Sequence, residues 1–178
     1  MAKKLMQWHS GTRQAKFYGP KALGVSLISQ ERIRMTEKLE LSEKIHEAIN
    51  LHCERGDTFA ENKQYEDAIR EYNQAWALIP SPKNEWEAAT WVLAAITDAA
   101  YLGGFEATAR KTVEYAMTCP GAIGNPFLHL RFGQILFDED ETAQATDELM
   151  RAYMGGGPGI FEHEDMKYMN FLRAKAMI

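Results

Sequence analysis

The sequence has few cysteines and no long apolar run. Only two of its 178 residues are cysteine, Cys53 and Cys119, and they lie far apart. Such a pair matches neither a disulfide framework nor a zinc ligand set, so we expect two reduced thiols packed in or near the core. The stretch WVLAAITDAAYLGG is too short for a transmembrane helix and contains Asp98. The basic N-terminus lacks the apolar run of a signal peptide. We therefore expect a cytoplasmic protein with no membrane partner.

Motifs that would indicate catalysis or a cofactor are also missing. The sequence has no P-loop, dinucleotide fingerprint, nucleophile elbow or zincin motif. His46 and His52 are six residues apart, about 240° around a helix, and cannot share a metal ion. His129 fits a packing position better than a ligand site. The acidic run EHED at 162–165 fits a helix start better than a ligand site. We expect no enzyme, no cofactor and no metal centre.

Charge is distributed unevenly along the chain. Residues 1–34 contain seven Lys and Arg against one Glu, a net charge of +6, whereas the remainder contains 13 basic and 24 acidic residues, a net charge of −11. The acidic body would repel phosphates, so we expect no nucleic-acid partner. Residues 1–34 show no clean apolar period. We interpret them as a flexible or extraneous leader, with a functional arm as the alternative, beside a helical domain over 35–178.

What the sequence does contain is an internal repeat. Small residues, large apolar residues and a final Pro or Gly recur at one spacing in two segments. In the first segment they are Gly56, Phe59, Ala68, Tyr72, Ala75 and Pro80, and in the second Gly133, Leu136, Ala145, Leu149, Ala152 and Gly157. Small residues let two helices approach closely, large ones fill the space between them, and Pro or Gly ends the second helix. The spacing predicts a helical hairpin in each segment.

A middle segment matches this repeat less well. Thr97 stands where the first small residue is expected, Thr108 stands where Ala is expected, and the turn at Gly103 is shorter. Extra length precedes the segment, in PSPKNEWEAATW at 80–91. Trp86 and Trp91 are five residues apart there, about 140° around a helix, and cannot share one face. We expect Trp86 to pack against neighbouring helices and Trp91 to face a ligand.

The hairpin spacing resembles that of the tetratricopeptide repeat. The resemblance implies an all-α fold, a right-handed superhelix of about three hairpins followed by a capping helix. The implied hairpins lie near 42–80, 84–120 and 125–157, and the capping helix near 164–177. The six hairpin helices are expected near 41–62, 65–79, 84–102, 105–118, 126–138 and 142–154. Ser42, Asn84 and Asn125 are the expected N-caps, the last followed by Pro126 at the first helical position.

In tetratricopeptide arrays the first helices of successive repeats line a groove that binds ligands. The groove positions carried over to this chain, together with Arg131 from GNPFLHLRFG, give nine candidate partner-binding residues. They are Asn50, Asp57, Trp91, Asp98, Tyr101, Phe127, Arg131, Gln134 and Phe137. The family's carboxylate clamp is absent, because Cys53 and Asp57 stand at two of its positions. Aromatic side chains beside carboxylates predict a protein partner with a basic surface, although Trp91 and Phe127 could equally be core residues.

Three phrases are also similar to a group of small bacterial tetratricopeptide proteins encoded beside polymorphic toxins and regarded as immunity proteins. They are LIPSPKNEWEAATWVLAAI, CPGAIGNPFLHLRFGQ and ELMRAYM, and the resemblance covers about residues 42–175. It implies a cytosolic protein-protein interaction module that binds and neutralises a toxin. The alternative is a secretion chaperone or assembly scaffold that holds an apolar client segment with adaptable side chains, among them nine methionines.

Overall fold

The computed structural model describes residues 40–175, and within them all regular secondary structure is helical. Seven α-helices and three short 3-10 turns follow one another in this part of the chain, which contains no β-strand. The helices are α1 (Glu43–Glu61), α2 (Tyr65–Leu78), α3 (Glu87–Leu102), α4 (Glu106–Ala116), α5 (Pro126–Asp138), α6 (Thr142–Gly156) and α7 (Met166–Lys175). The all-α prediction is confirmed. The predicted basic segment, 1–34, lies outside the described residues.

Three turns of one conformation divide the first six helices into pairs. Each turn has three residues, and the middle residue has a positive φ: 60° at Lys63, 74° at Gly104 and 62° at Asp140. The amide that follows each of these residues donates to the carbonyl five residues before it, with N···O distances of 2.8–2.9 Å. This bond is the one that ends a helix in the Schellman arrangement. The second helix of each pair is thereby returned onto the first, and the two pack together.

The middle pair, α3 and α4, is as regular as the other two. Ala109, and not Thr108, is the buried equivalent of Ala68 and Ala145; Ala109 is fully buried and Thr108 is exposed. The expectation of Thr108 at this position and of a shorter turn was therefore wrong. Thr97 and Val113 are both fully buried, so this pair combines a larger first residue with a smaller second one where the other pairs combine Gly with Tyr or Leu.

Two glycines set the closest approaches between paired helices. A Cβ atom added at Gly56 would lie 2.3 Å from Cε1 of Tyr72. One added at Gly133 would lie 2.7 Å from Cγ of Leu149 and 2.9 Å from its backbone nitrogen. Both distances are below van der Waals contact, so the small residues predicted at these positions are required by the packing.

The connection between α2 and α3 differs from the expected one. Asn84 does not cap α3; it lies in the 3-10 turn Lys83–Glu85, and α3 begins at Glu87 with Trp86 as the N-cap residue. The amine of Lys83 donates to the carbonyls of Trp76 and Ile79, the latter at 2.7 Å, at the end of α2. Because Lys83 is held there, the chain passes through one tight turn before α3 can start. Trp86 therefore precedes the helix that carries Trp91, and the angle predicted between them does not apply.

The N-terminus of α5 is confirmed as predicted. Oδ1 of Asn125 accepts hydrogen bonds from the amides of Phe127 and Leu128 at 3.0 and 3.3 Å, and Pro126 occupies the first turn. Ser42 precedes α1 as expected, but its side chain makes no capping hydrogen bond. The start of α5 fixes which of its residues face α3, and these include Arg131.

The last helix, α7, covers the apolar surface that α6 leaves. Its buried residues Tyr168, Met169 and Leu172 form one cluster with Leu149 and Ala152 of α6. The bounds of α7, Met166–Lys175, lie within the range 164–177 expected for the last helix.

Candidate functional site

The first helices of the three pairs are neighbours, because α3 contacts both α1 and α5. All nine predicted partner-binding residues lie on these helices. Two are on α1 (Asn50 and Asp57), three on α3 (Trp91, Asp98 and Tyr101) and four on α5 (Phe127, Arg131, Gln134 and Phe137). We call the surface formed by α1, α3 and α5 the first-helix face. Arg131 and Gln134 have no exposed area, whereas the other seven are partly exposed.

The α1 end of the first-helix face is acidic. Asp57 accepts a hydrogen bond at 2.8 Å from the hydroxyl of Tyr72, which reaches across from α2. Burial raises the pKa of Asp57, and repulsion from Glu61, Glu54 and Asp98 raises it further, while the Tyr72 hydrogen bond opposes the rise. The negative charge of Asp98, on α3, contributes to the raised pKa of Asp57, on α1. Two predicted partner-binding residues on different helices therefore lie close enough to repel each other. Ionisation of Asp57 therefore costs more free energy in the native state than in water.

Cys53 lies one turn before Asp57 and experiences the same field. Burial raises the pKa of its thiol to about 12, with further contributions from Asp57 and Glu54. The thiol is therefore protonated at neutral pH and is a poor nucleophile. Cys119 is buried as expected, and its pKa is raised by burial too. On α1, Asn50 is hydrogen-bonded through Nδ2 to Nδ1 of His46 at 3.3 Å.

The α5 end of the first-helix face is organised around Arg131. Its Nε donates to Oδ1 of Asp98 at 2.6 Å, and its Nη1 donates to Oε2 of Glu164 at 2.7 Å and to Oε1 of Gln134 at 2.6 Å. Gln134 also donates to Oε2 of Glu164, at 2.9 Å. Burial alone would lower the pKa of Arg131, but Asp98 and Glu164 raise it above its ordinary value. Four side chains from three parts of the chain are thus joined around a guanidinium that stays charged.

Two aromatic rings cover this guanidinium. Its Cζ lies 5.3 Å from the ring centroid of Tyr101 and 5.3 Å from that of Phe127. Both distances are within the range of cation–π attraction. Arg131 and Gln134 therefore lie beneath the surface, where they hold Asp98, Tyr101 and Phe127 in position.

The segment that precedes and forms α7 also contacts the first-helix face, a contact that the repeat spacing did not predict. Glu164, expected at an acidic helix start, has only 8% of its side chain exposed in its pair with Arg131. Asp138, the last residue of α5, accepts hydrogen bonds from the hydroxyls of Tyr101 at 3.0 Å and Tyr168 at 2.9 Å. It also pairs with Nζ of Lys167 at 2.7 Å. Glu164 and Asp138 thus join α7 and the segment before it to the first-helix face.

Phe137 is drawn into the same contact. Its ring packs edge-on against Tyr168 and Phe171, with centroid distances of 5.4 and 4.8 Å. Within residues 40–175, α7 thus covers one end of the first-helix face, and the part that α7 does not cover lies on α1 and α3. An arginine inside the apolar run FLHLRFG is the sequence signal that could have predicted a buried counter-charge.

A second missed feature is a histidine–carboxylate pair in two of the helix pairs. Nδ1 of His52 is 2.8 Å from Oε2 of Glu71, and Nδ1 of His129 is 2.5 Å from Oε2 of Glu148. Each His stands four residues before the repeat glycine, and each Glu fifteen residues after it. The repeat spacing could have revealed both pairs, but the histidines were considered only as metal ligands or packing residues.

Comparison of the chain with profiles of known protein families, with curated proteins and with solved structures gives no match. No helix among residues 40–175 is long and apolar enough to cross a membrane. The same residues contain no group of three or more His, Cys, Asp or Glu side chains placed to hold a metal ion.

Proposed function

We propose that this chain is a cytoplasmic protein-binding module of the tetratricopeptide type that recognises a partner with a basic surface through the open part of its first-helix face. The repeat architecture is supported by the three equivalent turns, each with its positive φ at the same place. It is also supported by the His–Glu pair shared by the first and third helix pairs. In this proposal the helix pairs stack as a right-handed superhelix and α7 closes its end.

The proposal rests on the environment of the Asp57 carboxylate. Its carboxylate is partly buried among Glu54, Glu61 and Asp98, and its pKa is raised by that burial and repulsion. A charge held against its own neighbours destabilises the free protein, and such groups concentrate at functional sites. A Lys or Arg side chain of a partner would relieve the repulsion on binding. The half-buried ring of Trp91, on the adjacent helix, would supply apolar contact area beside it.

The biological role we propose is that of an immunity protein, which binds a folded toxin and covers its active surface. Toxins that act on nucleic acids or nucleotides have cationic sites, and an acidic face can cover such a site while long-range attraction speeds association. In this role the chain binds its partner and catalyses no reaction.

Co-expression with the product of the adjacent gene tests this role. The expected result is a co-purifying complex and restored growth of cells that produce the partner. Trp91→Ala should weaken the complex mainly through faster dissociation. Tyr115→Ala is the matched control, because Tyr115 is an aromatic residue that is 42% exposed on α4, outside the first-helix face. Absence of both the complex and the rescue would contradict the proposal, and equal effects of the two substitutions would place the interface elsewhere.

A secretion chaperone or scaffold is the second candidate, and two exposed methionines favour it. Met154 is 79% exposed and Met166 is 58% exposed, and methionine adapts to irregular apolar segments. A chaperone would hold its client partly unfolded, whereas an immunity protein leaves it folded and inhibited. Hydrogen exchange of the bound partner distinguishes the two: protection like that of the free folded partner supports immunity, and loss of protection supports the chaperone.

A further inference from the structure

His129 lies within the α5–α6 pair and has hydrogen-bond acceptors at both ring nitrogens. Nδ1 is 2.5 Å from Oε2 of Glu148, and Nε2 is 2.7 Å from the carbonyl oxygen of Ile123. The side chain of His129 is 4% exposed and that of Glu148 is 17% exposed. Ile123 belongs to the 3-10 turn Ala122–Gly124, which leads into α5. The ring therefore connects this turn to both helices of the third pair.

The two acceptors determine the protonation state of the ring. A neutral imidazole donates from only one nitrogen, and neither a backbone carbonyl nor an ionised carboxylate can donate in return. Both contacts together require the doubly protonated imidazolium. The hydrogen bond to Glu148 raises the pKa of His129, burial opposes that rise, and the Ile123 carbonyl adds to it. Arg151, on α6, is the nearby cation and lowers the pKa.

The first helix pair contains a natural comparison. His52 occupies the same repeat position as His129, and its Nδ1 is 2.8 Å from Oε2 of Glu71. Among the described residues no carbonyl accepts a hydrogen bond from Nε2 of His52, and its side chain is 26% exposed. The two histidines share the carboxylate and differ in the second acceptor, which only His129 has.

We propose that His129 is a pH-sensitive clamp, which in its protonated form ties the Ala122–Gly124 turn to α6 and releases one of the two when it loses a proton. The proposal does not depend on the function proposed above. The turn is followed at once by Asn125, which caps α5, and by Phe127 on the first-helix face. Release of the turn would therefore loosen the start of α5 and alter the end of that face.

The direction of the pH effect follows from linkage. The pKa of His129 is higher in the folded chain than its ordinary value, so the native state keeps a proton that the unfolded chain has released. Stabilisation by the clamp is complete below the ordinary histidine pKa, about 6.5, and is lost as the pH rises through the folded value. The unfolding equilibrium constant changes by at most about tenfold per pH unit from this single proton.

Nuclear magnetic resonance of the wild-type ring tests the protonation state directly. At a pH just above the ordinary histidine pKa, we expect both ring nitrogens of His129 to carry protons and to show correlations to Glu148 and Ile123. Amide exchange at Asn125, corrected for its intrinsic pH dependence, should accelerate as the ring titrates, because this amide closes the turn on Ala122 at 2.9 Å. A neutral ring at that pH, or exchange at Asn125 that ignores the titration, would overturn the proposal.

Urea denaturation of variants provides an independent test. His129→Gln and Glu148→Gln should each lower stability most below the ordinary histidine pKa and progressively less as the pH rises. His52→Gln is the matched control for loss of an imidazole from a helix pair, and its loss at low pH should be smaller because it removes one hydrogen bond instead of two. If His129→Gln has the same effect at every pH in this window, or a smaller one than His52→Gln, the clamp is excluded. If His129→Gln does not fold, the wild-type titration still decides.

Discussion

Replacement of Arg131 by methionine should strongly destabilise the protein, since it removes the cation between two carboxylates that are themselves largely buried. Arg131 has no exposed area, and the side chains of Asp98 and Glu164 are 14% and 8% exposed. Removal of one member of a buried ion pair costs about 3–5 kcal/mol, because it leaves an uncompensated charge away from water. For a chain of this size that loss corresponds to a decrease in Tm of roughly 6–20 °C.

Arg110 offers a control at the surface, with three carboxylate partners where Arg131 has two. It contacts Glu114 at 2.8 Å, Glu139 at 2.6 Å and Glu141 at 3.1 Å, but its side chain is 22% exposed and those of its partners 36–49%. Water and salt compensate such charges, so Arg110→Met should cost at most about 1 kcal/mol. The contrast between the two arginines isolates the effect of burial.

The assay is urea denaturation followed by far-ultraviolet circular dichroism, with the midpoint and the slope fitted separately. A triple variant, Arg131→Met with Asp98→Asn and Glu164→Gln, removes the charges together and should recover most of the lost stability. Two outcomes would show that burial of Arg131 does not stabilise the protein in this way. One is an Arg131→Met variant as stable as Arg110→Met, and the other is a triple variant no more stable than the single one.

Three further predictions concern the packing and the acidic end of the first-helix face. Gly133→Ala should lower the free energy of unfolding by about 1–3 kcal/mol in urea denaturation, because the new Cβ meets the Leu149 backbone. Gly124→Ala, whose new Cβ has nothing within 4 Å, should change it by less than about 0.5 kcal/mol. Cys53, with its thiol pKa of about 12, should react slowly with a disulfide reagent at neutral pH, and Asp57→Asn should accelerate the reaction; an unchanged rate would show that Asp57 does not act on the thiol. Asp57→Asn should also stabilise the free protein at neutral pH and not at acid pH, because the raised pKa of Asp57 means that its ionisation lowers native stability; a stability difference that does not vary with pH would contradict this.

Hydrophobic periodicity predicted the helices well because each pair buries small and large residues at fixed spacing. The bounds predicted for α5, 126–138, agree with the structure, since Asn125 and Pro126 mark its start by local hydrogen bonding and backbone preference alone. The start predicted for α3 was wrong because a side-chain contact with the end of the preceding helix decides it. Lys83 binds carbonyls at the end of α2, and no local signal around Asn84 reveals that attachment.

The error in the middle helix pair has a different origin. Thr97 is larger than the glycines of the other pairs, and so it was interpreted as a break in the pattern. The compensating change lies sixteen residues further on, where Val113 takes the place of a larger residue. Packing constrains the combined volume of Thr97 and Val113, and not the size of each residue alone. Comparing the repeats one position at a time therefore misses the similarity of the middle pair to the other two.

The candidate site was predicted in outline and missed in its internal organisation. The repeat position placed Asp98, Tyr101 and Phe127 on one face, because helical geometry fixes which residues share a side. The repeat position could not show that Arg131 pairs with two carboxylates. One of them, Glu164, belongs to a segment that only the tertiary fold brings next to α5. Residues far apart in the sequence pair these buried charges, and sequence spacing does not predict which residues will meet.

We propose that the acidic part of the first-helix face binds a basic protein partner, and the affinity of the Asp57→Asn variant for that partner is the decisive measurement. Binding to the product of the adjacent gene would be measured for the wild-type chain, for Asp57→Asn, and for Asp147→Asn, which makes the same charge change at an exposed position of α6. We predict that Asp57→Asn weakens the complex about tenfold or more and reduces its dependence on salt, while Asp147→Asn binds as the wild type does. Equal affinities for all three proteins, or no complex with the wild type, would contradict the claim.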